Sequence, residues 1–199
     1  MLTLIDARQP SSRALVERII ARLPLQDETD ALDTPSIESA VSEIIRAVKR
    51  DGDAALFDYT ARFDGFRPTP ESVAIPVERW AQALAELSPE LGAALRIAYQ
   101  RIWAFHEKQR PTDWDLELGP GSRVGQRHRP LESVGIYVPG GKAFYPSSLL
   151  MNAIPARIAG VRRIVAVTPV PLERIPKSIL AAAHLCGIDA IYSVGGAQA

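Results

Sequence analysis

From Val134 to Ala199 the chain alternates three short apolar runs with two helical ones, and no other stretch restricts the fold so tightly. Val134-Gly135-Ile136-Tyr137-Val138 reads as a strand and Pro139-Gly140-Gly141 as a turn. Ser147 to Gly160 reads as a helix with Leu150, Ile154, Ile158 and Val161 along one side. Arg163 to Val167 is a second strand, Pro176 to Cys186 a helix closed by Gly187, and Ala190 to Val194 a third strand before Gly195-Gly196. Connections of helix length between strands suit parallel pairing with right-handed crossovers. The expected product is an incomplete Rossmann-like βαβαβ sheet.

The preceding residues carry a different period. Ile37, Val41, Ile44, Ile45 and Val48 fall on one helical face between a start signal at Asp33-Thr34-Pro35 and a stop at Lys49-Arg50-Asp51-Gly52. Asp53 is placed to cap a second helix through Phe57 to about Ala61, which Asp64-Gly65-Phe66 and two prolines end. Trp80, Leu84 and Leu87 mark a third helix, and Leu91, Leu95, Ala98, Ile102 and Phe105 a long fourth one after Ser88-Pro89. At Trp114 the period becomes two, and Gly119-Pro120-Gly121 turns the chain back into Arg123 to His128, a hairpin with one wet face. The fold class is therefore α/β: a helical N-terminal region over residues 1–110, then a second region over 111–199 that holds the hairpin and the incomplete parallel sheet. Because Ala199 follows a strand-turn that should lead into a covering helix, a truncated chain with a bare sheet face beside its last strand is expected.

Charge narrows the partners. Twenty-three Lys and Arg balance 23 Asp and Glu, so nothing steers a polyanion, and neither nucleic acid nor membrane is expected as a partner. One cysteine, Cys186, makes no intrachain disulfide, and the N-terminus has no signal pattern; a cytoplasmic protein is expected.

Ligands of open parallel sheets bind outside the carboxyl ends of the strands, here Pro139-Gly140-Gly141, Thr168-Pro169 and Gly195-Gly196. Glycines there let backbone N–H groups approach a phosphate or ribose, although no GxGxxG fingerprint is present. Tyr137 offers a ring or hydroxyl and Gln198 an amide at this edge; Lys142 is either a phosphate partner or a solvated lysine. Ser147 and Ser148 read as helix caps rather than nucleophiles, and Cys186 as a packing residue. His106, at a helix end, and His128, between arginines, read as solvated. No carboxylate pair and no metal-ligand spacing is visible, so no catalytic or metal-binding residue is assigned.

Two long blocks carry more than a fold. Pro130-Leu131-Glu132-Ser133-Val134-Gly135-Ile136-Tyr137-Val138-Pro139-Gly140-Gly141, continuing from Ala143-Phe144-Tyr145-Pro146 to Val161, closely resembles histidinol dehydrogenase. So does the end, Ser193-Val194-Gly195-Gly196-Ala197-Gln198-Ala199. Val48 to Leu56 and Tyr59 to Gly65 are similar to the family's opening, so the resemblance covers the chain but only about the first half of the family's length. It implies a zinc- and NAD-dependent oxidation of L-histidinol, through histidinaldehyde, to L-histidine, by a homodimer. It also implies cofactor contacts at Tyr137 and Gln198. The zinc ligands and acid–base groups of the family belong to its later half, and none of His106, His128 or His184 matches them. This chain is thus expected to supply part of the cofactor cleft and to be inactive alone. Two other readings stay open: a non-catalytic nucleotide-binding or regulatory domain derived from the fold, and a fragment that self-associates through its sheet edge.

Overall fold

The computed structural model describes residues 36–140 and 144–199; the Asp33-Thr34-Pro35 start signal and Lys142 lie outside them. The chain divides into two compact units between Ser42 and Glu43, inside its first described helix, and all later elements belong to the second unit. That helix, α1 (Ile37–Asp51), has its apolar face half-covered at most: none of its residues is buried.

A glycine in a left-handed conformation separates it from α2 (Asp53–Asp64), which a second one, Gly65, terminates. Asp53 is therefore the first helical residue and not the cap: Gly52 holds the cap position without a side chain, and the carboxylate of Asp53 complements the helix N-terminus from its first turn. Helix α3 (Glu78–Ala85) follows, then α4 (Pro89–Glu107). The latter is capped as expected, Ser88 Oγ accepting a hydrogen bond from the Leu91 N–H at 3.3 Å.

The hairpin forms in the expected place. Strand β1 (Trp114–Gly119) pairs antiparallel with β2 (Ser122–Gln126), Leu116 opposite Val124. Both faces are wet, not one: Trp114, Leu116, Leu118 and Val124 are all exposed, while Arg127 forks onto the Asp115 carboxylate at 2.6 and 2.7 Å.

Strands β3 (Ser133–Tyr137), β4 (Arg163–Val167) and β5 (Ala190–Tyr192) form a parallel sheet in that order, joined by α5 (Pro146–Ala159) and α6 (Lys177–Cys186). Ile136, Ile164, Ala166 and Ile191 face the two helices and are buried, as period two requires. Helices α5 and α6 pack on each other; α3 lies on α6 and α4 on α5, so Trp80 and Leu95 join the same core as Leu150, Ile154 and Leu180. The alternate strand residues Val165, Val167 and Tyr192 are only half-buried.

The outer edge of β5 is not bare. Ile75 N–H donates to Ile191 O at 2.8 Å and Ser193 N–H to Val73 O at 2.8 Å, with Ala74 bridged antiparallel to Tyr192. The segment between α2 and α3 thus covers the edge that the sequence left open: after a turn in which the Ser72 and Val73 N–H groups donate to Thr69 O, Val73–Ile75 runs along β5. This removes the template on which self-association through that edge was expected.

Candidate functional site

The three parallel strands end together, and the turns that follow them are packed by contact between small residues. Pro169, after β4, lies between Gly140, after β3, and Gly195, after β5. A Cβ on Gly195 would approach Pro169 Cα to 3.0 Å, and one on Gly140 would overlap Val170 and come within 3.3 Å of Pro169 Cγ. Neither glycine needs a left-handed backbone; both are there because the neighbouring turn leaves no room for a side chain.

Tyr137 closes β3 as a residue 47% exposed, and its hydroxyl accepts a hydrogen bond from the Gly196 N–H at 3.3 Å. This joins turns that stand 59 residues apart in sequence. Gly196, at φ 66°, opens a short 3-10 turn (Gly196–Gln198) that packs on α2. The Gln198 side chain folds back over Gly196, so that a Cβ there would meet its Cδ at 3.1 Å. Gln198 is 4% exposed, and among the described residues neither its Oε1 nor its Nε2 has a partner. A buried amide with both ends unsatisfied is expensive to keep in a fold and calls for an explanation beyond packing. The two sequence-predicted site residues are therefore brought to one edge, Tyr137 half-open to solvent and bonded to Gly196, over which the buried Gln198 side chain folds.

Beside them is a cleft of about 610 Å³ lined by Phe63 and Asp64 from the end of α2, Gly140, Phe144, Pro169, Val170 and Arg174. Helix α5 starts next to Phe144. Tyr145 holds its cap position and Pro146 follows, with no side-chain cap, so Ser147 and Ser148 are first-turn residues and not the caps expected of them. The first-turn N–H groups keep the partial positive charge that a phosphate takes up. Asp64 was missed from sequence, where it reads only as a turn residue. The available signal was its position in the last turn of a helix, the end that disfavours a carboxylate.

A larger open groove, about 1160 Å³, lies at the opposite end of the sheet, between Arg110–Asp113, Arg127–Leu131 and the end of α5 at Gly160. Here Asp113 accepts from the His128 N–H at 2.8 Å and meets its Nδ1 at 3.2 Å, so His128 sits beside a carboxylate rather than in a strand. The His128 backbone N–H, and then its side chain, hold the Asp113 carboxyl below the usual range. Three arginines, Arg110, Arg127 and Arg129, line this groove, but it meets a helix C-terminus and the amino ends of the strands, not the helix N-terminus and carboxyl strand ends where ligands of open parallel sheets bind.

The remaining residues behave as structural groups. His106 pairs with Gln109 at 2.7 Å and His184 is exposed. Cys186 is buried, and burial pushes its thiol up to about 12, far from a reactive thiolate. Among the described residues no group of three or more His, Cys, Asp or Glu is placed to hold a metal ion, and no helix is long and apolar enough to cross a membrane.

A sequence profile of the histidinol dehydrogenase family matches residues 27–199. The chain is 48% identical over 169 residues to the histidinol dehydrogenase of Syntrophotalea carbinolica, covering 84% of this chain and 39% of that protein. It is 42% identical over 196 residues to that of Aromatoleum aromaticum, covering 98% and 43%. A crystal structure of histidinol dehydrogenase from Elizabethkingia anophelis superposes with a TM-score of 0.75 at 34% identity, over 83% of this chain and 38% of the other. The chain thus spans about two fifths of the length of these relatives.

Proposed function

The chain belongs to the histidinol dehydrogenase family, and on that premise we propose that its strand-end cleft binds NAD for the oxidation of L-histidinol, through histidinaldehyde, to L-histidine. The observation that carries this reading is the meeting of Tyr137 and the Gly196–Gln198 turn at the carboxyl edge of the parallel sheet. Tyr137 would pack against or bond the dinucleotide, the Gln198 amide would gain the partners it lacks, and the N-terminus of α5 would face the pyrophosphate. NAD, when bound, takes up the hydride; this chain's residues bind it, orient it and keep water from part of it.

Zinc is different. The described residues do not fit a zinc site, and the resemblance gives the metal ligands and acid–base groups to a part of the family fold that these 199 residues do not match. No step through zinc is assigned to them, and turnover of histidinol by these residues alone is not expected. A cytoplasmic homodimer acting on a small molecule is the setting that the family supports.

The test is isothermal titration calorimetry of the chain with NAD, with Tyr137→Ala as control. Saturable binding weakened by the substitution supports the reading; absence of binding refutes it.

A further inference from the structure

The cleft contains a charged side chain that the reading above does not use. Asp64 is the last residue of α2, where the helix's own partial charge opposes a carboxylate. Its Oδ2 is buried, and among the described residues it has no hydrogen-bond partner. Asp51, at the equivalent end of α1, shows the ordinary solution: it is exposed and held by the Arg50 guanidinium at 2.8 and 2.9 Å. Among the described residues Asp64 has no such cation. Burial alone holds its carboxyl above the usual carboxylate range. Unpaired among the described residues and at the helix end that disfavours it, the carboxylate is not explained by the contacts around it.

Its surroundings supply a functional one. Phe63, half-exposed although Tyr59 stacks on its ring at 5.8 Å and Arg62 lies over it, and the partly core-packed Phe144 leave apolar ring surface at the cleft; Gly140 brings backbone within reach, and Arg174 lines it with no carboxylate paired to it among the described residues. Flat ring, vicinal hydroxyls and phosphate are the three parts of the adenosine half of a dinucleotide. A carboxylate is the group that dinucleotide sites use to accept hydrogen bonds from ribose hydroxyls. In the common fingerprint that acid lies downstream of the first strand; here it lies on a helix that precedes the sheet, which is why no motif reading finds it.

We propose that Asp64 accepts hydrogen bonds from the adenosine ribose hydroxyls of NAD and excludes a 2′-phosphorylated dinucleotide by charge. This rests on the NAD reading of the same cleft.

The test is calorimetric titration of the wild-type chain and Asp64→Asn with NAD, NADP, ADP-ribose and nicotinamide mononucleotide. The substitution is expected to weaken NAD and ADP-ribose about tenfold, the scale of one charged hydrogen bond. Nicotinamide mononucleotide should be unaffected, and the NAD-over-NADP preference should narrow. Wild-type affinity for NAD should fall as acid protonates Asp64, and Asp64→Asn should lack that dependence. The variant should also melt above wild type, because the folded state disfavours the ionised carboxyl and the amide removes that cost. Unchanged NAD affinity in Asp64→Asn, with Tyr137→Ala still weakening it, overturns the role of Asp64 and leaves the NAD reading standing. Weakened nicotinamide mononucleotide with ADP-ribose unchanged overturns the assignment to the adenosine ribose. A wild-type chain that binds no NAD overturns both. An Asp64→Asn chain that fails to fold overturns the claim that the carboxylate lacks a structural partner.

Discussion

Replacing Arg157 tests whether the strand and helix ends opposite the cleft are held by one side chain. Its guanidinium donates to Gly187 O, to Arg162 O at 2.9 Å and to Asp189 Oδ2 at 2.8 Å, with longer contacts at 3.4 Å to Cys186 O and Val161 O. Asp189 Oδ2 in turn accepts from the Ile164 N–H at 2.7 Å, so the cluster ties the ends of α5 and α6 to the starts of β4 and β5. A hydrogen bond from a charged donor contributes about 1.5–3 kcal/mol when enclosed. The Arg157 side chain is 24% exposed and that of Asp189 41%, so solvent weakens each bond, and the ion pair lies near the surface range of about 0–1 kcal/mol. Two good carbonyl bonds at a reduced value give about 2–3 kcal/mol for Arg157→Met, or about 4–12 °C in Tm for a domain of this size. Lysine reaches one carbonyl but cannot fork, so Arg157→Lys should lose about half as much. Urea denaturation of these variants and of Asp189→Asn completes a double-mutant cycle whose coupling should stay below about 1 kcal/mol. A loss under about 0.5 kcal/mol for Arg157→Met, the scale of an ordinary surface change, refutes the argument. Coupling above about 2 kcal/mol would mean that the ion pair and not the carbonyl cluster dominates.

Other outcomes follow from the same structure. Gly195→Ala, whose new Cβ would come to 3.0 Å from Pro169 Cα, should cost about 1–2 kcal/mol by thermal melting, overpacking outweighing the entropic gain. Gly135→Ala in β3 meets nothing within 4 Å and should be neutral or slightly stabilising. Cys186 should resist iodoacetamide at pH 8 in the folded chain and react on unfolding. Its folded pKa of about 12 exceeds the unfolded value, so it adds stability below about pH 9 that is lost as pH rises toward 12. Cys186→Ala should flatten that part of the pH–stability curve. Tyr137→Phe frees an exposed N–H that water can satisfy, and should cost under about 1 kcal/mol while accelerating amide exchange at Gly196.

The parallel sheet was legible because period, crossover length and terminating glycines all pointed to one answer, and β4 begins and ends where its apolar run does. Capping was less legible. Asp53, Ser147 and Ser148 are good cap residues by type, but Gly52 and Tyr145 hold those positions, since a left-handed glycine and a proline at the first helical position set the start of the helix first. The covered edge of β5 was hidden because Val73–Ile75 lacks strand periodicity and pairs with residues far along the chain. Site residues divide the same way. Tyr137 and Gln198 lie in strand-end blocks that a sequence displays, but the bond from the Gly196 N–H to the Tyr137 hydroxyl spans the end of β4, which stands between β3 and β5, and had no local signature. Asp64 reaches the cleft only because α2 packs on the last turn, a contact with no local signature.

Hydrogen–deuterium exchange of the chain with and without NAD tests the cofactor cleft most directly, because the sheet has a candidate cavity at each end. Protection is predicted over Tyr137–Gly140, Thr168–Val170 and Val194–Gln198, with none over Arg110–Asp113 or Arg127–Leu131. Protection confined to the Arg110–Leu131 groove, or no protection at saturating NAD, would contradict it.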